Sequence, residues 1–132
     1  MIASNASNQY MRNKILTASP AELTLMLYDG CIKFINIAMM GIDEKDIAKA
    51  NTNIKKAERI ILELQSTLND KYEVAKDFNA VYSYVKRRLL EANLSKDKEI
   101  LEECAGHMRT MRDTWKEVMK TAHVNERVAK QA

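Results

Sequence analysis

Apolar residues recur along this chain at intervals of three and four, the spacing that lines one face of an α-helix. The clearest start signal is Ser19-Pro20-Ala21-Glu22: Ser19 suits the N-cap, Pro20 the first helical position, and Glu22 completes a capping box. The spacing predicts a helix over residues 20–42. One of its stripes is Leu23, Leu27, Gly30, Phe34, Ile37 and Gly41. A second, on roughly the opposite side, is Leu25, Tyr28, Ile32, Ile35 and Met39. Only Asp29, Lys33 and Asn36 make a polar strip, so this helix is expected to be covered on more than one side. Gly30 costs about 1 kcal/mol inside a helix relative to Ala and marks close approach by another helix.

Three further helices follow. Residues 43–68 carry the seam Ile47, Ala50, Ile54, Ala57, Ile61, Leu64 and Leu68, a heptad-like stripe suited to small crossing angles. Residues 71–92 carry Val74, Phe78, Val81, Val85, Leu89 and Ala92, with Asn93 expected at a left-handed C-terminal position. Residues 96–123 carry Leu101, Cys104, Met108, Met111, Trp115, Val118 and Ala122. Ahead of these lies a Ser/Asn-rich stretch, residues 1–9, expected to be disordered, and a short segment, residues 10–16, too short to stand alone as a helix. Residues 125–132 are polar and expected to fray. Short connections between long helices make sequential neighbours antiparallel. The expected architecture is all-α: an antiparallel up-down four-helix bundle with a short N-terminal helix packed across it, in one domain over residues 10–124.

Composition narrows the class. With 132 residues the chain can bury a core, and 46% hydrophobic with 30% charged residues suits amphipathic helices. Lys+Arg 21 against Asp+Glu 18 gives +3 with the signs interspersed, which implies neither a nucleic-acid nor a membrane partner. The opening residues lack the basic start and apolar stretch of a signal peptide, and no apolar run is expected to span a bilayer, so the cytoplasm is the expected compartment. Cys31 and Cys104 fit reduced, buried thiols there.

Catalytic chemistry finds little material. A di-iron carboxylate site needs two Glu-x-x-His motifs, and neither His107 nor His123 makes one. Cys104 and His107, three apart, with Cys31 as a third ligand, fall short of the four closely paired ligands of structural zinc. A histidine phosphotransfer domain would place Lys or Arg three residues after its histidine; Thr110 occupies that position after His107. Nucleophile, phosphate-loop and dinucleotide signatures are missing. The expectation is a non-enzyme without cofactor or metal. Of the eight methionines, Met26, Met39 and Met40 suit an adaptable contact surface.

Tyr10, Thr17-Ala18-Ser19-Pro20, Glu22-Leu23 and Met26-Leu27-Tyr28-Asp29-Gly30 resemble the opening of the flagellin-specific export chaperones, the FliS family. Similar too are Ala50-Asn51, Lys56-Ala57, Ile61, Glu63-Leu64 and Thr67-Leu68. The resemblance continues through Tyr82, Tyr84, Arg87-Arg88-Leu89, Glu91-Ala92-Asn93 and Arg112-Asp113-Thr114-Trp115. Cys31 and the turn Leu94-Ser95-Lys96 depart from the family's usual residues. The resemblance implies a cytoplasmic chaperone that binds the C-terminal segment of flagellin. It would block premature polymerisation and keep flagellin competent for the flagellar type III apparatus. An export-gate component and other flagellar regulators are implied as further partners, and the surplus apolar surface leaves a weak homodimer of the free protein open. The alternatives are a helical adaptor for another export or signalling partner, or phosphotransfer through His107.

The flagellin contacts expected on this reading are Tyr10, Ile15, Leu25, Tyr28, Ile32, Ile35, Met39, Asn51, Ile54, Ile61, Tyr82, Tyr84 and Leu89. Residues 10–16 are expected to cover a groove in the free protein, anchored by Tyr10, and to give way to flagellin. Asn51 is as consistent with a bond inside the bundle as with a contact to partner backbone. Tyr82 and Tyr84 suit half-buried positions with polar tips. Lys56, Arg87, Arg88 and Arg112 read as solvated charges, and Trp115 as structural.

Overall fold

The computed structural model describes residues 2–131, with side-chain surroundings for residues 6–121. Ser19 sits in extended backbone and its hydroxyl accepts the Glu22 N–H at 3.2 Å, with Pro20 opening α2 (Pro20–Asp43). The Ser19 hydroxyl in turn donates to the Glu22 carboxylate at 3.2 Å, a variant of the expected capping box. The chain reverses at once. Lys45 adopts φ 60°, and Asp46 caps α3 (Ile47–Ser66) by accepting the Lys49 N–H at 3.0 Å. α3 therefore starts four residues later than the expected residue 43, because the turn consumes the intervening residues. A Cβ on Gly41 would lie 2.9 Å from Ala50 N, and backbone there cannot swing aside, so the turn requires glycine.

After a connection at 67–73 comes α4 (Val74–Ser95), then a left-handed Lys96 (φ 53°) and α5 (Lys98–Gln131). The expected stop at Asn93 is corrected. Asn93 stays helical and donates to Asn51 Oδ1 at 2.9 Å, while Lys96 takes the left-handed position. α5 also runs on to Gln131 through the stretch expected to fray, whose residues include neither Gly nor Pro to end it; Ala132 lies outside the described residues.

Cross-links fix the directions. Lys98 pairs with Asp43 at 3.0 Å, and Trp115 Nε1 donates to Ala21 O at 3.0 Å, so α5 runs antiparallel to α2. Asn51–Asn93 at one end and Gln65–Asn79 at the other set α4 antiparallel to α3. From α2 onward each helix meets the next, and α5 closes against α2. Tyr28, Cys31, Ile35, Ile54, Ala57, Ile61, Val85, Leu89, Leu101, Cys104 and Met108 fill the core. Gly30 faces α3, where a Cβ would stand 3.2 Å from Ile60 Cδ1.

The first helix corrects two expectations. α1 (Ile2–Thr17) is helical from Ile2 rather than from residue 10, though Met1 of the expected tail lies outside the described residues. It does not pack across the bundle: residues 6–17 are all exposed, Tyr10 at 66% and Leu16 at 75%. The reason is geometric. At about 100° per residue, Tyr10, Met11, Ile15 and Leu16 fall near roughly 0°, 100°, 140° and 240°, so no single face gathers them.

One helix among the described residues, α2, is long and apolar enough to cross a membrane, with mean hydropathy 1.4 over 18 residues. That corrects the expectation that no run reaches span length. Its two apolar stripes have neighbours here: Tyr28, Ile32 and Ile35 turn to the core, and Gly30 abuts α3.

Candidate functional site

At the end of the bundle where α2 begins and α3 gives way to α4, the core is open. A cavity of about 350 Å³ lies among Thr24, Tyr28, Leu68, Ala75, Phe78, Tyr82 and Trp115. The 67–73 connection forms its lip, with Tyr72 and, beyond it, Val74 exposed; Val118 of α5 stands exposed on the other side. A second cleft of about 370 Å³, lined by Pro20, Leu23, Leu27 and Glu63, shares Thr24, Thr67 and Trp115 with the first. Trp115 thus stands between two apolar recesses, held by its bond to the Ala21 carbonyl. An orphan carbonyl is not the reason for that bond, since Ala21 lies in the first turn; the bond fixes the angle of the indole plate.

The floor of the cavity is a tyrosine pair. The hydroxyls of Tyr28 and Tyr82 hydrogen-bond to each other, with ring centroids 6.4 Å apart, and Phe78 packs edge-on against Tyr82 at 6.4 Å. Burial raises the Tyr28 hydroxyl above its ordinary pKa, and the bond to Tyr82 pulls the other way. Burial and then the bond to Tyr28 push Tyr82 up. Both remain neutral and can satisfy each other, which lets two polar tips sit in an apolar floor. The arrangement offers apolar area and a few fixed polar groups, the makings of a binding recess.

The structure separates the expected contact residues into three groups. Tyr28, Ile32, Ile35, Ile54, Ile61, Tyr82 and Leu89, expected as partner contacts, lie buried in the core of the free protein. The bundle itself covers Tyr28, Ile32 and Ile35, so those side chains have neighbours already; only Tyr28 and Tyr82 among the seven reach the cavity wall. Leu25, Met39, Asn51 and Tyr84 are half-buried. Tyr10 and Ile15 are exposed on α1, covering no groove, which also corrects the expected lid. Trp115, Phe78, Leu68, Val74 and Val118 were read as seam residues, yet they line the opening together with Tyr72.

Polar motif residues mostly serve the bundle. Asn51 bonds to Asn93. Tyr84 donates to Glu103 at 2.8 Å, and Arg88 Nε donates to the same carboxylate at 2.8 Å. Those two bonds, Arg88 foremost, hold Glu103 below the usual carboxylate range. Lys56 lies 5.3 Å over the Phe34 ring, Arg87 5.5 Å over Tyr84, and Arg112 reaches Asp29 at 3.5 Å. Cys31 and Cys104 are buried free thiols, pushed up to about 12 mainly by desolvation. His107 stands partly exposed, 3.7 Å from Glu103 and edge-on to Tyr84 at 5.5 Å. Among the described residues no three His, Cys, Asp or Glu side chains gather as a metal site would need.

Comparison with known proteins gives this arrangement its context. Residues 3–122 match the family model described as flagellar protein FliS. The flagellar secretion chaperone FliS of Bacillus subtilis is 41% identical over 92% of this chain and 91% of its own length. Its namesake in Salmonella typhimurium is 29% identical, covering 88% of each chain. The Escherichia coli one is 32% identical, covering 81% of each. A crystal structure titled as a flagellar chaperone from bacteria superposes with a TM-score of 0.72 over 90% of this chain and 98% of that one, at 17% identity, a likeness of fold. A helical bundle with an unsealed apolar end, matched over nearly its whole length by these sequences, belongs to the FliS family of flagellar secretion chaperones.

Proposed function

We propose that this protein binds the C-terminal segment of flagellin in the bacterial cytoplasm, blocks its premature polymerisation and keeps it competent for the flagellar type III apparatus. The observation that carries the reading is the open end of the core. An apolar cavity of about 350 Å³ with a tryptophan wall and exposed Tyr72, Val74 and Val118 at its rim is built to receive apolar side chains. Membership of a flagellar secretion chaperone family supports a flagellar guest.

The physical logic is coupled folding. A segment that assembles by helix packing in a filament presents an apolar face when single, and can lay that face into a groove as an amphipathic helix. Ordering it costs roughly 2–5 kcal/mol, which favours a large, distributed interface over one deep pocket. Tyr10 and Ile15, free on α1, and Leu25, Met39 and Tyr84, half-buried along the bundle, extend the surface on which such a chain would rest. Binding, with no bond made or broken, is the whole activity.

Trp115 is the only tryptophan in the chain, so its fluorescence reports on the cavity directly. Titrating a flagellin C-terminal fragment into the protein should shift Trp115 emission and add helical circular dichroism. Val118→Asp, at an exposed rim position, should leave the fold intact and weaken the complex by an order of magnitude or more. A fragment that binds with no change at Trp115, or equally well to V118D, would remove the cavity from the site. No complex at micromolar concentrations would end the proposal.

A further inference from the structure

Along the α3–α4 seam, polar residues recur every seven positions on both helices: Asn51, Glu58 and Gln65 on one, Asn79, Lys86 and Asn93 on the other. The antiparallel register pairs the ends of this ladder. Asn93 donates to Asn51 at 2.9 Å, and Gln65 donates to Asn79 at 3.0 Å and to Ser83 at 3.2 Å. The same register sets Glu58 level with Lys86. Lys86, however, turns to Gln65 Oε1 at 3.5 Å, and Glu58 Oε1 is shut off from solvent with no hydrogen-bond partner among the described residues. A closed-off carboxylate oxygen with nothing to accept is costly in a folded chain and rare enough to need a reason. Burial accordingly raises the Glu58 carboxyl above its ordinary pKa, with Lys55 opposing.

The surroundings suggest that reason. Leu62, one turn beyond Glu58 on α3, is 52% exposed, and Leu90, one turn beyond Lys86 on α4, is 54% exposed. Helical periodicity puts both on the outer side of this seam. The seam therefore presents two unpartnered leucines around a carboxylate that lacks a donor. Rotation about the side-chain torsions of Glu58, the terminal one being soft, can turn the carboxylate as a whole toward the surface.

We propose that the α3–α4 seam is a second docking groove, which takes a helical part of the flagellin segment whose apolar face rests on Leu62 and Leu90 and whose lysine or arginine donates to Glu58. This rests on the flagellin reading above and adds to it a polar anchor away from the open cavity. The charge on Glu58 decides the occupant: an acidic or purely apolar segment would leave the oxygen as it is, and only a donor completes the ladder.

The test uses the full chain and a purified flagellin C-terminal fragment. Glu58→Gln removes the charge while keeping shape, and should melt at the wild-type temperature or higher, since a desolvated charge is lost. It should nevertheless bind the fragment roughly tenfold more weakly, with a flatter salt dependence. Leu90→Ala, an exposed position, should weaken binding without altering the melt. Hydrogen exchange of the wild-type complex should show α3 and α4 amides along the seam protected. Unchanged affinity of E58Q, or no protection on the seam, while the fragment still shifts Trp115, would overturn the groove and leave the flagellin reading standing. Failure of the wild-type protein to bind at all would overturn both.

Discussion

Replacing Tyr82 by phenylalanine removes one oxygen from the cavity floor and strands another. Tyr28 and Tyr82 are both essentially fully buried, and their hydroxyls bond to each other. In Tyr82→Phe the ring packing against Phe78 persists, but the Tyr28 hydroxyl loses its partner. A buried hydroxyl left unsatisfied costs about 1–3 kcal/mol. Because the cavity beside it can admit water, the lower half applies, about 1–2 kcal/mol. For a chain of this size that is a fall in Tm of roughly 4–7 °C. Tyr28→Phe should cost a similar amount for the same reason. The double variant is the informative one: with both oxygens gone, neither is stranded, so its cost should be close to one single variant and well below their sum. A coupling of about 1 kcal/mol or more, measured by urea unfolding of all four proteins, is the expected result. Additive losses, within about 0.3 kcal/mol, would show that the two hydroxyls do not act as a pair and would refute the description of the floor.

Four further outcomes follow from the geometry. Gly41→Ala pushes a methyl to 2.9 Å from Ala50 N and should destabilise by about 1–3 kcal/mol in denaturant titration. Ser19→Ala removes the acceptor for the Glu22 N–H and should cost about 1 kcal/mol, read the same way. Cys31 and Cys104, desolvated and pushed up to about 12, hold no appreciable thiolate at neutral pH; a disulfide reagent should label them only at the rate of unfolding, and fast labelling of the native protein would contradict their burial. Glu103 has its folded pKa lowered by Arg88 and Tyr84, so its contribution is present above the unfolded carboxylate range and lost as pH falls through the folded value. Glu103→Gln should accordingly flatten the acid limb of a stability–pH profile.

Repetition of apolar residues every three or four positions was enough to determine four long helices, because a helix must bury one stripe to exist in water at all. Short connections then left an antiparallel bundle as the economical packing, and local chemistry marked the start of α2, where Ser19 and Pro20 act through neighbours only a turn away. An ordered set of motif residues was likewise legible, and it pointed to the family that the comparisons show. What a stripe faces was not legible. Both stripes of α2 are apolar, and only the placement of α3 and α5 decided that Tyr28, Ile32 and Ile35 are core. The left-handed turn at Lys96 instead of Asn93 and the opening walled by Trp115 share that cause. Each depends on which side chains from distant segments arrive at one place, and three-dimensional packing alone sets that distance.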